Sequence, residues 1–212
     1  MAIGILVSGM NIEDESELQT IWDEAKGHIE SGEHDKVAEI YKYILIRYSD
    51  KPVAVEYANA YLGDIYLTTR QLDLAQKHLK KAIVAAPDNS HYHYLMGFTY
   101  SIKSQWTQSI AEFRKAVRTD RDNSENERGL GWALFNGGKM EGISHLYRAL
   151  ELSPSDINAI SDLAGCMLML GNIEKAREYG RKALELDSGY TPAADLLRVI
   201  ERITGSKDDK RR

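Results

Sequence analysis

The sequence predicts an all-α protein built from repeated pairs of helices. Small residues recur every 33 or 34 residues, and apolar residues between them recur at the three- and four-residue spacing of a helix. Of the 212 residues, 43% are hydrophobic and 28% charged, which suits a folded chain rather than a disordered one. No apolar run reaches the roughly 18 residues of a membrane-spanning helix, so we expect no membrane partner.

The repeat is clearest at one small position. Gly63, Gly97 and Gly131 are 34 residues apart, and Ala164 follows after 33. Two further small positions repeat in step, occupied by Ala75, Ser109, Gly142 and Ala176 and by Ala82, Ala116, Ala149 and Ala183. A small residue where two helices cross lets their backbones approach, so each period is expected to be a packed helix pair. Because one pair leaves an apolar face uncovered, successive pairs must stack.

The period also sets boundaries along the chain. Residues 1–17 are expected to be an N-terminal extension, the repeats span 18–51, 56–89, 90–123, 124–156 and 157–190, a helix over 191–204 caps the last of them, and 205–212 form a polar tail. Residues 18–204 are thus expected to form a single array.

Two helix starts are predicted in more detail. Four residues are extra between the first and second repeats, and four residues are about one helical turn, so the helix containing KPVAVEYANAYL should begin one turn early. Thr191 is expected to be the N-cap of the last helix, with Pro192 at its first position.

These spacings resemble the tetratricopeptide repeat, a 34-residue helix-turn-helix with small residues at positions 8, 20 and 27, a large one at 11 and proline at 32. Counted from Glu56, the matching residues of the second repeat are Gly63, Tyr66, Ala75, Ala82 and Pro87. Gly180 replaces a larger residue at position 24 of the last repeat, so thinner packing is expected there. The resemblance covers residues 18–204 and implies an α-solenoid of about five repeats with a capping helix.

The resemblance further implies a noncatalytic scaffold or adaptor whose concave groove binds a protein or peptide partner. The groove is lined by positions 2, 5, 6, 9, 12 and 13 of the first helices, and helical geometry independently places these positions opposite the packed ones. The expected groove residues are Tyr57, Tyr61, Asp64, His91, Tyr94, Phe98, Ile102, Arg128, Trp132, Phe135, Asp162 and Leu168. Their aromatic content favours an apolar or aromatic peptide or helix as the ligand. Phe98 and Trp132, both at position 9, are expected to lie side by side.

The sequence disfavours a carboxylate-binding clamp and a metal site. The carboxylate clamp of some family members needs a lysine and an asparagine where this chain has Tyr94 and Phe98. His91 and His93 are two residues apart on a helix and point about 200° apart, which prevents shared metal ligation. We therefore expect no enzyme activity, no metal and no cofactor. The single cysteine, Cys166, excludes an internal disulfide and fits a cytoplasmic protein.

Two alternatives stay open. An RNA-binding helical repeat would stack bases on Tyr94 and Trp132, although 27 basic against 32 acidic residues give a net charge of −5, which disfavours nucleic acid. A self-associating protein would use the apolar segment AIGILV near the N-terminus, which lies outside every repeat, to contact a second copy and form a homo-oligomer.

Overall fold

The computed structural model describes residues 12–209, with the side chains of residues 16–205. Every regular element in this range is an α-helix, so the all-α helical-repeat class is confirmed. The helices are α1 (Ile12–Glu30), α2 (His34–Arg47), α3 (Pro52–Thr68), α4 (Leu72–Ala85), α5 (Ser90–Ile102), α6 (Trp106–Thr119), α7 (Ser124–Asn136), α8 (Gly142–Leu152), α9 (Ile157–Met169), α10 (Ile173–Leu186) and α11 (Thr191–Asp209). Helices α1, α3, α5, α7 and α9 are the first helices of the repeats, and α2, α4, α6, α8 and α10 are the second helices.

The described residues divide after Ser104 into two compact units. The first unit contains α1 to α5 and the second contains α6 to α11. Consecutive helices within each unit pack against one another, and α3 also contacts α5, α7 contacts α9, and α9 contacts α11. The division falls inside the third repeat, so a single array over residues 18–204 stays a prediction.

The helix ends test the predicted starts and stops. Helix α3 has 17 residues where α5, α7 and α9 have 13, so the extra turn is confirmed. Helix α11 begins at Thr191, the first residue of the predicted capping helix 191–204, but Thr191 is its first helical residue rather than its N-cap. The N–H of Ala194 donates to the Tyr190 carbonyl at 3.3 Å, which makes Tyr190 the N-cap, while the Thr191 hydroxyl donates to Gly189 O at 3.4 Å.

The two chain ends are more helical than expected. Helix α1 begins at Ile12, inside the expected extension 1–17, and α11 continues to Asp209, inside the expected tail 205–212. Neither stretch contains a proline, and the acidic residues at the start of α1 favour a helix N-terminus. The segment AIGILV lies outside the described residues.

Close helix crossings hold each pair together. A Cβ atom on Gly131 would lie 2.7 Å from the carbonyl oxygen of Gly142 and 2.9 Å from the backbone nitrogen of Leu146, so only glycine fits where α7 crosses α8. A Cβ on Gly63 would lie 2.6 Å from the Leu79 side chain. The predicted packing role of the small residues is confirmed in both units.

Gly180 makes room for the last helix. A Cβ at this position would lie 3.1 Å from Leu197 and 3.2 Å from Leu196, both on α11. Ile200 of the same helix is fully buried. The expectation of thinner packing at Gly180 is therefore wrong, because leucine side chains of α11 fill the space that the missing side chain leaves.

A left-handed residue follows the first helix in all five repeats, always at position 15. These residues, with φ between 55° and 79°, are Gly32, Arg70, Ser104, Gly138 and Gly171. In the second repeat the N–H of Gln71 donates to Tyr66 O at 2.7 Å and the N–H of Arg70 donates to Leu67 O at 3.1 Å, which is a Schellman motif. This backbone conformation is unfavourable for residues other than glycine.

We expect Gly171→Ala to lower the free energy of unfolding by about 1 kcal/mol, because a side chain there has open space but strained backbone. Arg70→Gly should raise it by up to about 1 kcal/mol. Gly165→Ala is the matched control, because Gly165 also has open space but lies within α9, where alanine stabilises by about 0.5–1 kcal/mol. Urea unfolding monitored by circular dichroism measures all three, and equal effects of the two alanine variants would contradict the role of the turn.

Candidate functional site

A pocket of about 200 Å³ opens between α3 and α5 in the first unit. Its lining residues are Tyr57, Ala60, Tyr61, Asp64, Asn89, His91, Tyr92 and Leu95. Four of the groove residues expected from the sequence therefore line one pocket, which we call the α3–α5 pocket: Tyr57, Tyr61, Asp64 and His91.

Helical spacing and a helix cap build this pocket. The residues that α3 contributes lie three or four positions apart, so they form one stripe along the helix. On the other side, Asn89 Oδ1 accepts a hydrogen bond from the His91 N–H at 3.1 Å and fixes the start of α5. Sequence reasoning missed Asn89 and Tyr92. The N-cap role of Asn89 was readable from its place next to Ser90.

Two of the pocket tyrosines are held in place by neighbours. The Tyr61 ring stacks on Tyr41 of α2, with ring centroids 4.7 Å apart and an interplanar angle of 4°. The Tyr92 hydroxyl donates to Glu56 Oε1 at 2.9 Å, and Tyr92 is buried. Partial burial and this acidic partner raise the pKa of Tyr92, which keeps its hydroxyl protonated. The aromatic walls are therefore ordered before any ligand binds.

Asp64 is the acidic group of the α3–α5 pocket. Asp64 is an exposed residue, yet the surrounding pocket partly desolvates its carboxyl group and raises the pKa, while the imidazoles of His91 and His34 act in the opposite direction. Among the described residues no lysine or arginine forms an ion pair with it. Its carboxylate is thus held at a protein surface without a neutralising cation.

An aromatic row continues from the pocket along α5. The rings of His91 and Tyr94 have centroids 6.4 Å apart at 10°, and those of Tyr94 and Phe98 are 6.4 Å apart at 3°. Phe98 is 40% exposed. Ile102, also expected on this face, is half-buried and packs against the core of the first unit. The exposed part of the row therefore ends at Phe98.

In the second unit the expected groove residues include an internal ion pair. Arg128 Nη1 on α7 lies 3.1 Å from Asp162 Oδ2 on α9, and about one fifth of each side chain is exposed. Burial raises the pKa of Asp162 to about 6, against the attraction of Arg128 and with a further increase from Asp156. The guanidinium group of Arg128 is thus already paired with an aspartate of its own unit.

Phe135 is a correction to the expected groove. It is 9% exposed and belongs to a hydrophobic cluster with Leu146 and Leu163, against which Leu168 packs half-buried. Position 12 lies only about 40° around the helix from the packed position 8, which explains the burial. Trp132 is half-buried. The predicted proximity of Phe98 and Trp132 concerns residues of different units and stays a prediction.

A second helix also covers part of the expected groove face. The Phe113 ring of α6 lies against Gly129 of α7, so closely that no Cβ atom would fit on Gly129. The helical periodicity of α7 predicts only that Gly129 faces away from α8, its partner in the repeat. It does not predict the contact of Gly129 with α6, the preceding helix.

The chemistry of the described residues is limited. No three histidine, cysteine, aspartate or glutamate side chains in this range lie close enough together to hold a metal ion. No helix formed by the same residues is long and apolar enough to cross a membrane. Cys166 is buried, and burial raises the pKa of its thiol to about 12, so the thiol is protonated at neutral pH.

The raised pKa of Asp162 gives a pH-dependence of stability. Because the folded state holds this proton more tightly than the unfolded state, stability is expected to fall as the pH rises from about 4 to about 6. A pKa of about 6 instead of 3.8 corresponds to a loss of about 3 kcal/mol. Urea unfolding at a series of pH values should show that Asp162→Asn removes this loss and that Asp195→Asn, an exposed change on α11, does not. Parallel pH profiles for the parent and Asp162→Asn would contradict the prediction.

Comparison with known proteins gives a family-model match and several relatives. A family model described as a tetratricopeptide repeat matches residues 58–89. The Caenorhabditis elegans protein trd-1, named as tetratricopeptide repeat-containing, is 26% identical over 136 residues, which is 63% of this chain and 17% of that protein. Subunit NrfG of the formate-dependent nitrite reductase complex of Escherichia coli O157:H7 is 26% identical over 63% of this chain and 68% of its own length.

Solved structures agree with the fold. The crystal structure of YrrB, described as a tetratricopeptide repeat protein with an unusual peptide-binding site, has a TM-score of 0.62 and 22% identity, and the match covers 82% of this chain and 88% of that one. This chain spans less than a fifth of trd-1. With the repeated helix pairs, these likenesses support a tetratricopeptide repeat protein, and the family model matches residues 58–89 as one such repeat.

Proposed function

We propose that this chain is a noncatalytic scaffold that binds a peptide or helix of a partner protein on the open face of its first helices. Proteins of this family generally mediate protein–protein interactions. The observation that carries the proposal is the α3–α5 pocket with the exposed Phe98 ring in the aromatic row beside it. The peptide-binding site named for YrrB, whose fold is similar, is in keeping with this use.

The energetic argument rests on ordered, exposed aromatic rings. Aromatic side chains concentrate binding energy at protein interfaces because they bury a large area and lose little conformational freedom. Tyr94 and Phe98 are nearly parallel, so each restricts the other before a partner arrives. In the second unit Phe135 lies in the core and Trp132 is half-buried, so we place the main anchoring surface in the first unit.

The described side chains favour binding over catalysis. Asp64 and His91 share the pocket, but the lining residues include no serine, threonine, cysteine or lysine that they would activate as a nucleophile. Cys166 is buried and protonated. These observations support a scaffold whose contribution is to hold a partner in place.

Protein is also a better ligand for this face than RNA. Binding of single-stranded RNA needs cations along the backbone as well as rings for stacking. Arg128, the cation among the expected groove residues, already pairs with Asp162. Self-association through AIGILV and a cytoplasmic location stay predictions.

Phe98→Ala tests the proposal. Peptides selected from a random display library against the parent chain should bind Phe98→Ala with about 2 kcal/mol less affinity, or roughly 30-fold more weakly, because a fully desolvated anchor is lost. The melting temperature should change little, since Phe98 is 40% exposed. Trp132→Ala, measured in the same way, tests the second unit.

Two controls define the result. Val84→Ala removes an apolar side chain that is 83% exposed on the second helix α4, and it should leave peptide affinity unchanged. Leu134→Ala should lower the free energy of unfolding by about 2–5 kcal/mol, because Leu134 is fully buried. The proposal is wrong if no peptide is selected, or if Phe98→Ala binds the selected peptides as well as the parent chain does.

A further inference from the structure

We propose that the α3–α5 pocket recognises a cationic side chain, lysine or arginine, of the bound partner. This inference rests on the proposed function and names the class of residue that the site takes. It is argued from an acidic group without a cation, the aromatic walls around it and the size of the pocket.

The first observation is the contrast between two aspartates on first helices. Asp162 is neutralised within its own unit by Arg128 at 3.1 Å. Asp64 lies in the lining of the α3–α5 pocket, and no described lysine or arginine pairs with it. Partial desolvation disfavours the charged form of Asp64 and raises its pKa. A ligand cation would supply the missing charge and lower that pKa again.

The second observation is the aromatic lining around this carboxylate. Tyr57, Tyr61 and Tyr92 all line the α3–α5 pocket. Aromatic faces attract ammonium and guanidinium groups, and the attraction grows as the cation loses water. Stacking on Tyr41 fixes the Tyr61 ring, and the hydrogen bond to Glu56 fixes Tyr92, so little freedom is lost when a cation enters. Carboxylate and rings together favour a cation over a neutral apolar group.

The third observation is size. Pockets for small-molecule ligands are usually about 300–1,000 Å³, so 200 Å³ corresponds to one extended side chain. Ala60 and Leu95 supply apolar lining beside Asp64. Lysine and arginine have an apolar stem and a charged end, which matches a pocket with both kinds of surface.

The pocket also predicts how binding depends on pH. The titratable groups near Asp64 are His34 of α2, His91 of α5, and Tyr57 and Tyr61 of its own helix. When Asp64 is protonated, it no longer pairs with a cation. Because the pKa of Asp64 is raised, affinity for a cation should increase with pH above the ordinary range of an aspartate.

Nuclear magnetic resonance titration of the full-length chain with single-residue probes tests the proposal. The probes are the N-acetyl methylamides of lysine, arginine and norleucine, the last being a neutral match for the lysine stem. Lysine or arginine probes should give saturable shifts of the Tyr61, Asp64 and Leu95 amides, with the norleucine probe at least about tenfold weaker. Comparison of the two cationic probes identifies the preferred side chain.

Two variants and one control complete the experiment. Asp64→Asn and Tyr61→Leu should each weaken binding of the cationic probe, the former at least about tenfold, while Asp88→Asn, which removes the same charge outside the pocket lining, should not. A retained melting temperature shows that each variant is folded, and Tyr61→Leu serves as the test if Asp64→Asn does not fold. Affinity for the cationic probe should increase as the pH rises.

The proposal is overturned if the norleucine probe binds as well as the cationic ones, if neither cationic probe shifts the pocket amides, or if Asp64→Asn binds like the parent. Each of these results would leave peptide binding through Phe98 standing. If the lysine or arginine probe binds saturably but no peptide is selected, the proposed scaffold function is contradicted. Recognition of a cation in the α3–α5 pocket is not contradicted by that result.

Discussion

The close approach of paired helices, seen in the second and fourth repeats, is the constraint on which the rest of the structure depends. Where α7 crosses α8, the Gly131 and Gly142 backbones leave no room for a Cβ atom, and Gly63 brings α3 equally close to the Leu79 side chain of α4. The small residues fix which side of each first helix faces its partner. They thereby determine which residues remain for a ligand, and in the first unit these form the α3–α5 pocket.

Much of the fold could be predicted because it depends on local periodicity. The spacing of the small residues predicted the helix pairs. Four extra residues predicted the additional turn of α3, since a whole turn leaves the helix faces unrotated. The outer ends of α1 and α11 were mispredicted, and α11 continues through Gly205, where the tail was expected to begin, as far as Asp209. Packing at Gly180 was misjudged because the side chains that fill the space belong to another helix.

The candidate site was only partly predictable, for a related reason. A helical wheel describes one helix against one partner, and it placed Tyr57, Tyr61, Asp64 and His91 correctly on a face that becomes the pocket. It failed for Phe135, which lies at the edge of that face and is drawn into the core. Contacts between neighbouring repeats, such as the burial of Gly129 under Phe113, depend on inter-helix distances that no single-helix pattern contains.

Two aspartates show how the same residue type acquires different chemistry. Both were expected among the groove residues, yet Asp162 has an internal arginine partner and Asp64 has none among the described residues. Partial desolvation raises the pKa of both carboxyl groups, and Arg128 offsets only part of this effect at Asp162. At Asp64 a cation of a bound partner would act in the same direction.

The central claim is that first helices carry the binding surface while second helices serve packing. The most direct measurement is paramagnetic line broadening from a nitroxide attached to a peptide selected against the parent chain. The account predicts broadening of amides in α3 and α5, around Tyr61, Asp64 and Phe98. Broadening confined to α2 and α4, around Ile46 and Val84, whose apolar side chains are 78% and 83% exposed, would contradict it.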